Sequence, residues 1–314
     1  MTHNLNNALN NEKREYAADS HSGLVRDHNE DCFAAEPDLG LWLVADGVGG
    51  HSCGEVAAAI VRDTIRERVA AGDALVDAIN AAHQAVLRAI ESRENAQGMG
   101  STVVAALLKD DQYEISWVGD SRAYLWNGRL QQLSTDHSRV AELLARQAIS
   151  AEQAADHPER HILTQSIGVS NAMEIVPGQV SGTLRPGEHL LLCSDGLTDE
   201  LSDSLMAHLL GDHETPRAQV DALMSAALDH GGNDNVTAVI IGEGADLSVT
   251  VLAGGGARAS VGIAVAGVAP LLQAAEAPLA LRQELCVRQG VAVGAGQVVV
   301  GSAELQAEAP VVVG

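Results

Sequence analysis

The sequence predicts an α+β domain of layered antiparallel sheets, and three observations carry that expectation. Strand-like apolar runs come in blocks, interrupted by a pair of helices, instead of alternating strictly with helices. The dipeptide Asn127-Gly128 lies between two short apolar segments, which marks a type I′ hairpin and therefore antiparallel pairing. Two further apolar runs, ending at Asp46-Gly47 and Asp195-Gly196, are long enough for buried strands and deliver a carboxylate where the backbone turns.

In chain order, Leu39 to Ala45 reads as a buried strand. A helix from about Glu55 to Ala70 follows. Asp73 is the expected cap of a second helix, whose Leu75, Ala78, Ile79, Ala82, Val86 and Ile90 recur at helical spacing as one apolar stripe. Ser101 to Leu108 and Tyr113 to Val118 are strands joined through the polar turn Lys109-Asp110-Asp111-Gln112. Ala123 to Trp126 and Arg129 to Leu133 flank the Asn-Gly turn. Ser138 to Ile162 is polar and alanine-rich, with a capping box at Ser150-Ala151-Glu152-Gln153, and is expected to be a small, mobile helical flap. Thr215 as N-cap and Pro216 at the first helical position open a helix with the stripe Val220, Leu223, Met224, Ala227 and Leu228. Val236 to Ile241 is the last strand of this part.

A chain of 314 residues, 46% hydrophobic and 19% charged, can bury a full core. The formal net charge of −23 argues against a nucleic-acid partner, whose phosphates require lysine and arginine, and otherwise favours solubility. Trp42, Trp117 and Trp126 are expected as core anchors, not as a base-stacking platform. Cys32, Cys53, Cys193 and Cys286 have no Cys-x-x-Cys spacing and read as free thiols of a reducing compartment. The polar start, Met1 to Asn7, lacks the apolar core of a signal peptide, so cytoplasmic residence is expected. Of the twelve histidines, His137, His157, His161 and His189 show no ligand spacing and are expected to be solvated or hydrogen-bonded.

Three divisions follow: a polar N-terminal segment at 1–15, a main domain at 16–243, and an extension at 244–314 rich in alanine, glycine and valine. The extension contains the linker-like Ala253 to Arg258. Its apolar stretch Val261 to Leu272 contains Pro270 and falls short of the ~20 residues of a membrane span. The extension reads either as a small β module built on short strands such as Gln297 to Val300 or as a poorly ordered region, and nothing in it suggests a function.

Carboxylates gathered at strand ends without compensating lysines ask for a hard divalent cation such as magnesium or manganese. An isolated Asp-Gly is most often a turn former, but here several acidic segments recur together. The order Gly23-Leu24-Val25-Arg26-Asp27-His28-Asn29-Glu30-Asp31, Asp46-Gly47-Val48-Gly49-Gly50-His51, Gly100-Ser101-Thr102, Gly119-Asp120-Ser121-Arg122, Ser194-Asp195-Gly196 and Gly231-Gly232-Asn233-Asp234-Asn235-Val236-Thr237 resembles the protein phosphatase 2C (PPM) family, its bacterial serine/threonine phosphatases in particular. The likeness covers roughly residues 16 to 243.

The resemblance implies a four-layer α-β-β-α sandwich of two antiparallel sheets with a small helical flap. It also implies two core ions, Mn2+ or Mg2+, with Asp46 bridging them, the Gly47 carbonyl holding one, and Asp195 and Asp234 holding the other. Such a pair acidifies a bridging water for in-line attack on phosphorus. Under the same resemblance Glu30 and Asp31 orient water ligands of the second ion, and Arg26 grips the phosphate through its planar fork. Asp120 and Asp199, with Asp195, match a third and weaker ion site found in bacterial members; Asp120 could equally tie the turn before Arg122, and Arg26 could be a surface ion pair. Val48 stands where some members carry a histidine, so the proton donor to the leaving oxygen is a water or another group. His51 is either that group or a structural prop of the Gly49-Gly50 turn.

The implied partners are phosphorylated proteins, including a serine/threonine kinase and its targets, acted on by a monomer without a membrane span. The alternatives are a non-catalytic phosphoprotein-binding pseudophosphatase, or a hydrolase of small phosphate esters on the same fold. Retention of Asp46, Asp195 and Asp234 favours an enzyme over a pseudoenzyme, because the three acids repel one another unless a cation is present.

Overall fold

The computed structural model describes residues 14–49, 53–92, 96, 98–155, 157–168 and 174–242, together with the strands 250–253, 261–264, 291–294 and 297–300. The chain divides into two units, Met1–Ala245 and Asp246–Gly314. In the first unit the order is β1 (Glu15–His21), β2 (Asp31–Glu36), β3 (Leu41–Val48), α1 (Cys53–Ala70), α2 (Leu75–Ser92), β4 (Gly100–Ser101), β5 (Val103–Lys109), β6 (Gln112–Val118), β7 (Arg122–Trp126) and β8 (Leu130–Gln132). It continues through α3 (Arg139–Ala145), α4 (Ala151–Ala155), β9 (Gly178–Thr183), β10 (His189–Cys193), α5 (Asp195–Thr198), α6 (Asp203–Asp212), α7 (Pro216–His230) and β11 (Val236–Gly242). The second unit contributes two antiparallel hairpins, Thr250–Ala253 with Val261–Ala264 and Val291–Gly294 with Gln297–Val300.

The strands of the first unit form two antiparallel sheets. One has the order β1-β11-β10-β7-β8, the other β2-β3-β5-β6-β9, with β4 paired to β3. Three apolar clusters show how they stack. Trp42, Val44, Val104, Ile115 and Trp117 of one sheet pack with Ala123, Leu190, Leu192, Val239 and Ile241 of the other. The opposite face of the second sheet, through Leu41, Leu43, Val103 and Ala105, meets the apolar stripes of α1 and α2. The opposite face of the first, through Tyr124, Leu191, Ala238 and Ile240, meets α6 and α7. A strand with neighbours on both faces reads as a continuous apolar run, and β11 is buried at every position. The result is the expected α-β-β-α sandwich.

Local signals account for several ends. Thr215 accepts from the Ala218 N–H and Pro216 opens α7. The Ser150–Gln153 capping box forms in both directions, Ser150 N–H to Gln153 Oε1 at 2.9 Å and Gln153 N–H to Ser150 Oγ at 3.3 Å. Other expectations need correction. The Asn127-Gly128 turn is not type I′: Trp126 pairs with Leu130, the loop has three residues, and of the two only Gly128 adopts a positive φ, +88°. Asp73 does not cap α2, because the helix begins beyond Ala74, whose carbonyl receives the Ala78 N–H; Asp73 pairs with Arg68 instead. Residues 37–39, of which Leu39 was expected to open a strand, form a 3-10 turn closed by Gly40 N–H on the Pro37 carbonyl at 3.0 Å. Trp42 and Trp117 are buried core residues as expected, and Trp126 is partly buried against the outer cluster. Cys32, Cys53 and Cys193 are free thiols; Cys286 lies outside the described residues.

Candidate active site

Strand register gathers the acids at one end of the sandwich. Asp31 opens β2 directly opposite Asp46 near the end of β3, so both carboxylates stand on one face of a cross-strand pair. In the other sheet, Cys193 ends β10 between Arg122 of β7 and Ala238 of β11. Asp195 therefore leaves β10 beside Asp120, just before β7, and beside Asp234, just before β11. Gly47 matters here for close approach: a Cβ at that position would run into the Gly54 backbone of α1. With no side chain there, α1 packs against the turn and Gly47 N–H donates to the Glu30 carbonyl at 3.2 Å.

The electrostatics of this cluster are unbalanced. Burial, opposed by hydrogen bonds from Thr237 and Ser194 and compounded by Asp195 and Asp234, pushes the Asp31 carboxyl up to about 7. Burial and then the charges of Asp195 and Asp136 push Asp120 up to about 7 as well. Asp195 rises to about 6, through burial first and Asp199 second. Asp46 is held well above the usual carboxylate range by burial and by Asp31, Asp195 and Asp120. Glu30 is raised by burial. Asp31 Oδ2 accepts from the Ser194 and Thr237 hydroxyls, each at 2.7 Å, whereas its Oδ1 is buried with no hydrogen-bond partner.

A cleft of about 1110 Å³ opens over these groups, lined among others by Arg26, Glu30, Asp46, Gly47, Val48, Thr102, Asp120, Asp195, Asp199 and Asp234. The structure thus brings to one cavity every site residue expected from sequence except Asp31, which sits behind Asp46. Arg26 and Asp234, expected to act on phosphate and metal respectively, pair with each other at 2.7 Å, both half exposed. Asp234 Oδ1 also accepts from the Asn235 N–H at 2.8 Å. The expectation for His51 lies outside the described residues.

Some functional neighbours were not foreseen. His161 is exposed and accepts a hydrogen bond from Arg160 Nε at 2.8 Å, as a solvated or hydrogen-bonded histidine should, but it also lies 3.6 Å from Asp199 through Nδ1, and His161, Asp195 and Asp199 bring ligand atoms within 4.8 Å of one another. No spacing rule could have found it, because His161 reaches the acids only through the path of the flap. Asn235 locks the entry loop, accepting from the Glu30 N–H and donating to the Ser22 and His28 carbonyls. Thr102 supports Asp46 from behind: its N–H donates to the Asp46 carbonyl at 2.8 Å and its hydroxyl meets Ser121 at 2.6 Å.

Residues 20–230 match the family described as protein phosphatase 2C. The chain belongs to that family. As a member it is a metal-dependent protein phosphatase. A curated relative, the serine/threonine phosphatase stp of Listeria monocytogenes, is 37% identical over 237 residues, covering 70% of this chain and 92% of its own. The crystal structure of the Mycobacterium tuberculosis serine/threonine phosphatase PstP/Ppp superposes with a TM-score of 0.67 at 33% identity, over 73% of this chain and 98% of that one. The catalytic domain of PstP in complex with two manganese ions gives a TM-score of 0.65 at 33% identity, over 73% of this chain and 97% of that one.

The residues of this phosphatase 2C site fit hard divalent cations. The carboxylates that line the cleft are hard oxygen donors of the kind that suits magnesium and manganese better than zinc. The buried, unpartnered Asp31 Oδ1 is an acceptor that the protein itself leaves unsatisfied.

Proposed function

We propose that this protein hydrolyses phosphoserine and phosphothreonine esters of proteins, opposing a serine/threonine kinase, with two divalent ions at the carboxylate cluster. The reading rests on one observation: Asp46, Asp120 and Asp195 converge beneath an open cleft, each raised first by burial, Asp46 further by Asp31, Asp195 and Asp120, Asp120 by Asp195, and Asp195 by Asp199 and Asp234, with no buried lysine or arginine among the residues that line it with them. Asp46 with the Gly47 carbonyl, Asp195 and Asp234 would hold the ions, with Asp120 and Asp199 available to a third. Bound there, such ions acidify water and neutralise phosphoryl oxygens.

The chain's own residues supply the rest. Arg26, more than half exposed at the cleft wall, would exchange the Asp234 carboxylate for phosphoryl oxygens, which its fork matches equally well. Asp31, fixed by Ser194 and Thr237, and Glu30, fixed through Asn235, would orient water toward phosphorus. Val48 has no acidic proton to donate, so transfer to the departing serine oxygen falls to water or to another cleft group.

The test is manganese-dependent phosphate release from a phosphothreonine peptide and from p-nitrophenyl phosphate, with Asp195→Asn alongside. Turnover abolished by EDTA and by the substitution is expected; turnover surviving either contradicts the mechanism. Selective peptide turnover separates a protein phosphatase from a hydrolase of small esters.

A further inference from the structure

Among the described residues five large apolar side chains are exposed, and three of them, Leu24, Val25 and Ile162, adjoin residues that line the cleft. Leu24 and Val25 immediately precede Arg26, with 66% and 64% of their surface exposed. Their loop is not loosely held. Leu24 N–H donates to the Gly232 carbonyl at 2.7 Å, and Asn235 Nδ2 ties both ends of the loop through the Ser22 and His28 carbonyls at 3.0 and 2.8 Å. A side chain begun at Gly232 would meet Leu24 Cγ and Leu228 Cδ2 at 3.1 Å, so these residues share one apolar shelf beside the cleft-lining Asn233 and Asp234.

A fixed backbone that holds two branched apolar side chains in water, next to the phosphate-binding arginine, gives up burial that the core would otherwise supply. We infer that Leu24 and Val25 are specificity residues that dock an apolar side chain flanking the phosphorylated residue of the substrate protein. The inference rests on the phosphatase reading above. Successive Cα atoms of a bound peptide are about 3.8 Å apart, so a phosphothreonine paired with Arg26 sets its neighbouring side chain over Val25 and Leu24. Charge removes one competing occupant. Asp27 and Glu200 line this wall and the chain carries a net charge of −23, which disfavours acidic flanks.

The manganese-loaded full chain is assayed on phosphothreonine peptides that differ only in leucine, serine or aspartate immediately before or after the phosphoresidue. On at least one side leucine should raise kcat/KM about tenfold over serine, mainly through KM, with aspartate lowest. Leu24→Ser and Val25→Ser should each shrink that preference, read as the ratio of peptide to p-nitrophenyl phosphate kcat/KM so that general damage cancels. Wild-type turnover of the leucine and serine peptides within about twofold, or a preference that survives both substitutions, overturns the inference while leaving the phosphatase reading intact. Failure to cleave any ester, p-nitrophenyl phosphate included, overturns the phosphatase reading and this inference with it.

Discussion

Asp120 and Arg122 are two residues apart, yet they belong to opposite kinds of buried polar assembly. Arg122 donates through Nε and Nη2 to both Asp136 oxygens at 2.7–3.1 Å and through Nη1 to the Tyr124 hydroxyl at 3.2 Å, which in turn reaches Asp203 at 3.3 Å. Arg122 there has its counter-charge in place in Asp136, and Asp203 has a hydrogen-bond donor. Asp120 instead shares its cleft with Asp46 and Asp195: burial raises all three, Asp195 further raises Asp120, Asp31, Asp195 and Asp120 further raise Asp46, and Asp31 has one oxygen unpartnered. The first assembly is complete as folded and holds β7 to the root of the flap. The second makes physical sense only if something positive enters it.

Substituting both assemblies separates their roles. Asp46→Asn should cut manganese-dependent turnover by more than about a hundredfold, the scale of losing a group that stabilises transition-state charge, while raising the melting temperature of the EDTA-treated protein. A steady-state assay and a melt on one preparation check both halves; unchanged turnover, or a lower metal-free melting temperature, breaks the contrast. Arg122→Ala should cost about 2–3 kcal/mol with or without manganese, somewhat below a fully buried pair because Arg122 retains some exposure. Denaturant titration measures it, and a loss that manganese repairs would place Arg122 with the ion site instead.

pH sharpens the contrast further. Folding raises Asp31 and Asp120 to about 7 and Asp195 to about 6, above the ordinary 3.8, so the folded state keeps protons that the unfolded chain has released. Metal-free stability therefore falls as pH rises from about 4 and reaches its minimum above about 7. The melting temperature of EDTA-treated protein should drop by several degrees between pH 5 and 7.5, at about 2–4 °C per kcal/mol for a domain of this size. Saturating manganese should flatten that slope, and a metal-free melting temperature that rises over the interval refutes the repulsion. The smallest effect belongs to the exposed Arg26–Asp234 pair: Arg26→Ala should weaken phosphopeptide turnover but change stability by less than about 1 kcal/mol.

What could be read from the sequence was what nearest neighbours along the chain determine. Thr215-Pro216, the Ser150–Gln153 box and the stripes of α2 and α7 act within a turn or two, and each appears in the fold. The Asp-Gly positions were legible because an apolar run followed by a turn fixes where a strand delivers its last side chain. Edge strand β9 was missed because Gly178–Thr183 is exposed at alternate positions and nearly devoid of apolar residues, its place set by pairing with β6. Helix α6 was missed although Ser202 caps it through the Leu205 N–H. The approach of His161 to Asp199, the mutual pairing of Arg26 with Asp234, and the bonding of Asp31 by Ser194 and Thr237 all join residues far apart in sequence, which composition and periodicity do not encode.

On the proposed function, paired divalent ions balance the acids at the end of the sandwich. The most direct measurement is an anomalous-difference map from crystals grown with manganese near neutral pH. Two peaks roughly 3.5–4 Å apart are predicted, with Asp46 between them, the Gly47 carbonyl on one, and Asp195 and Asp234 on the other. A map with no peak within reach of Asp46, and Arg26 still bonded to Asp234, would contradict the account.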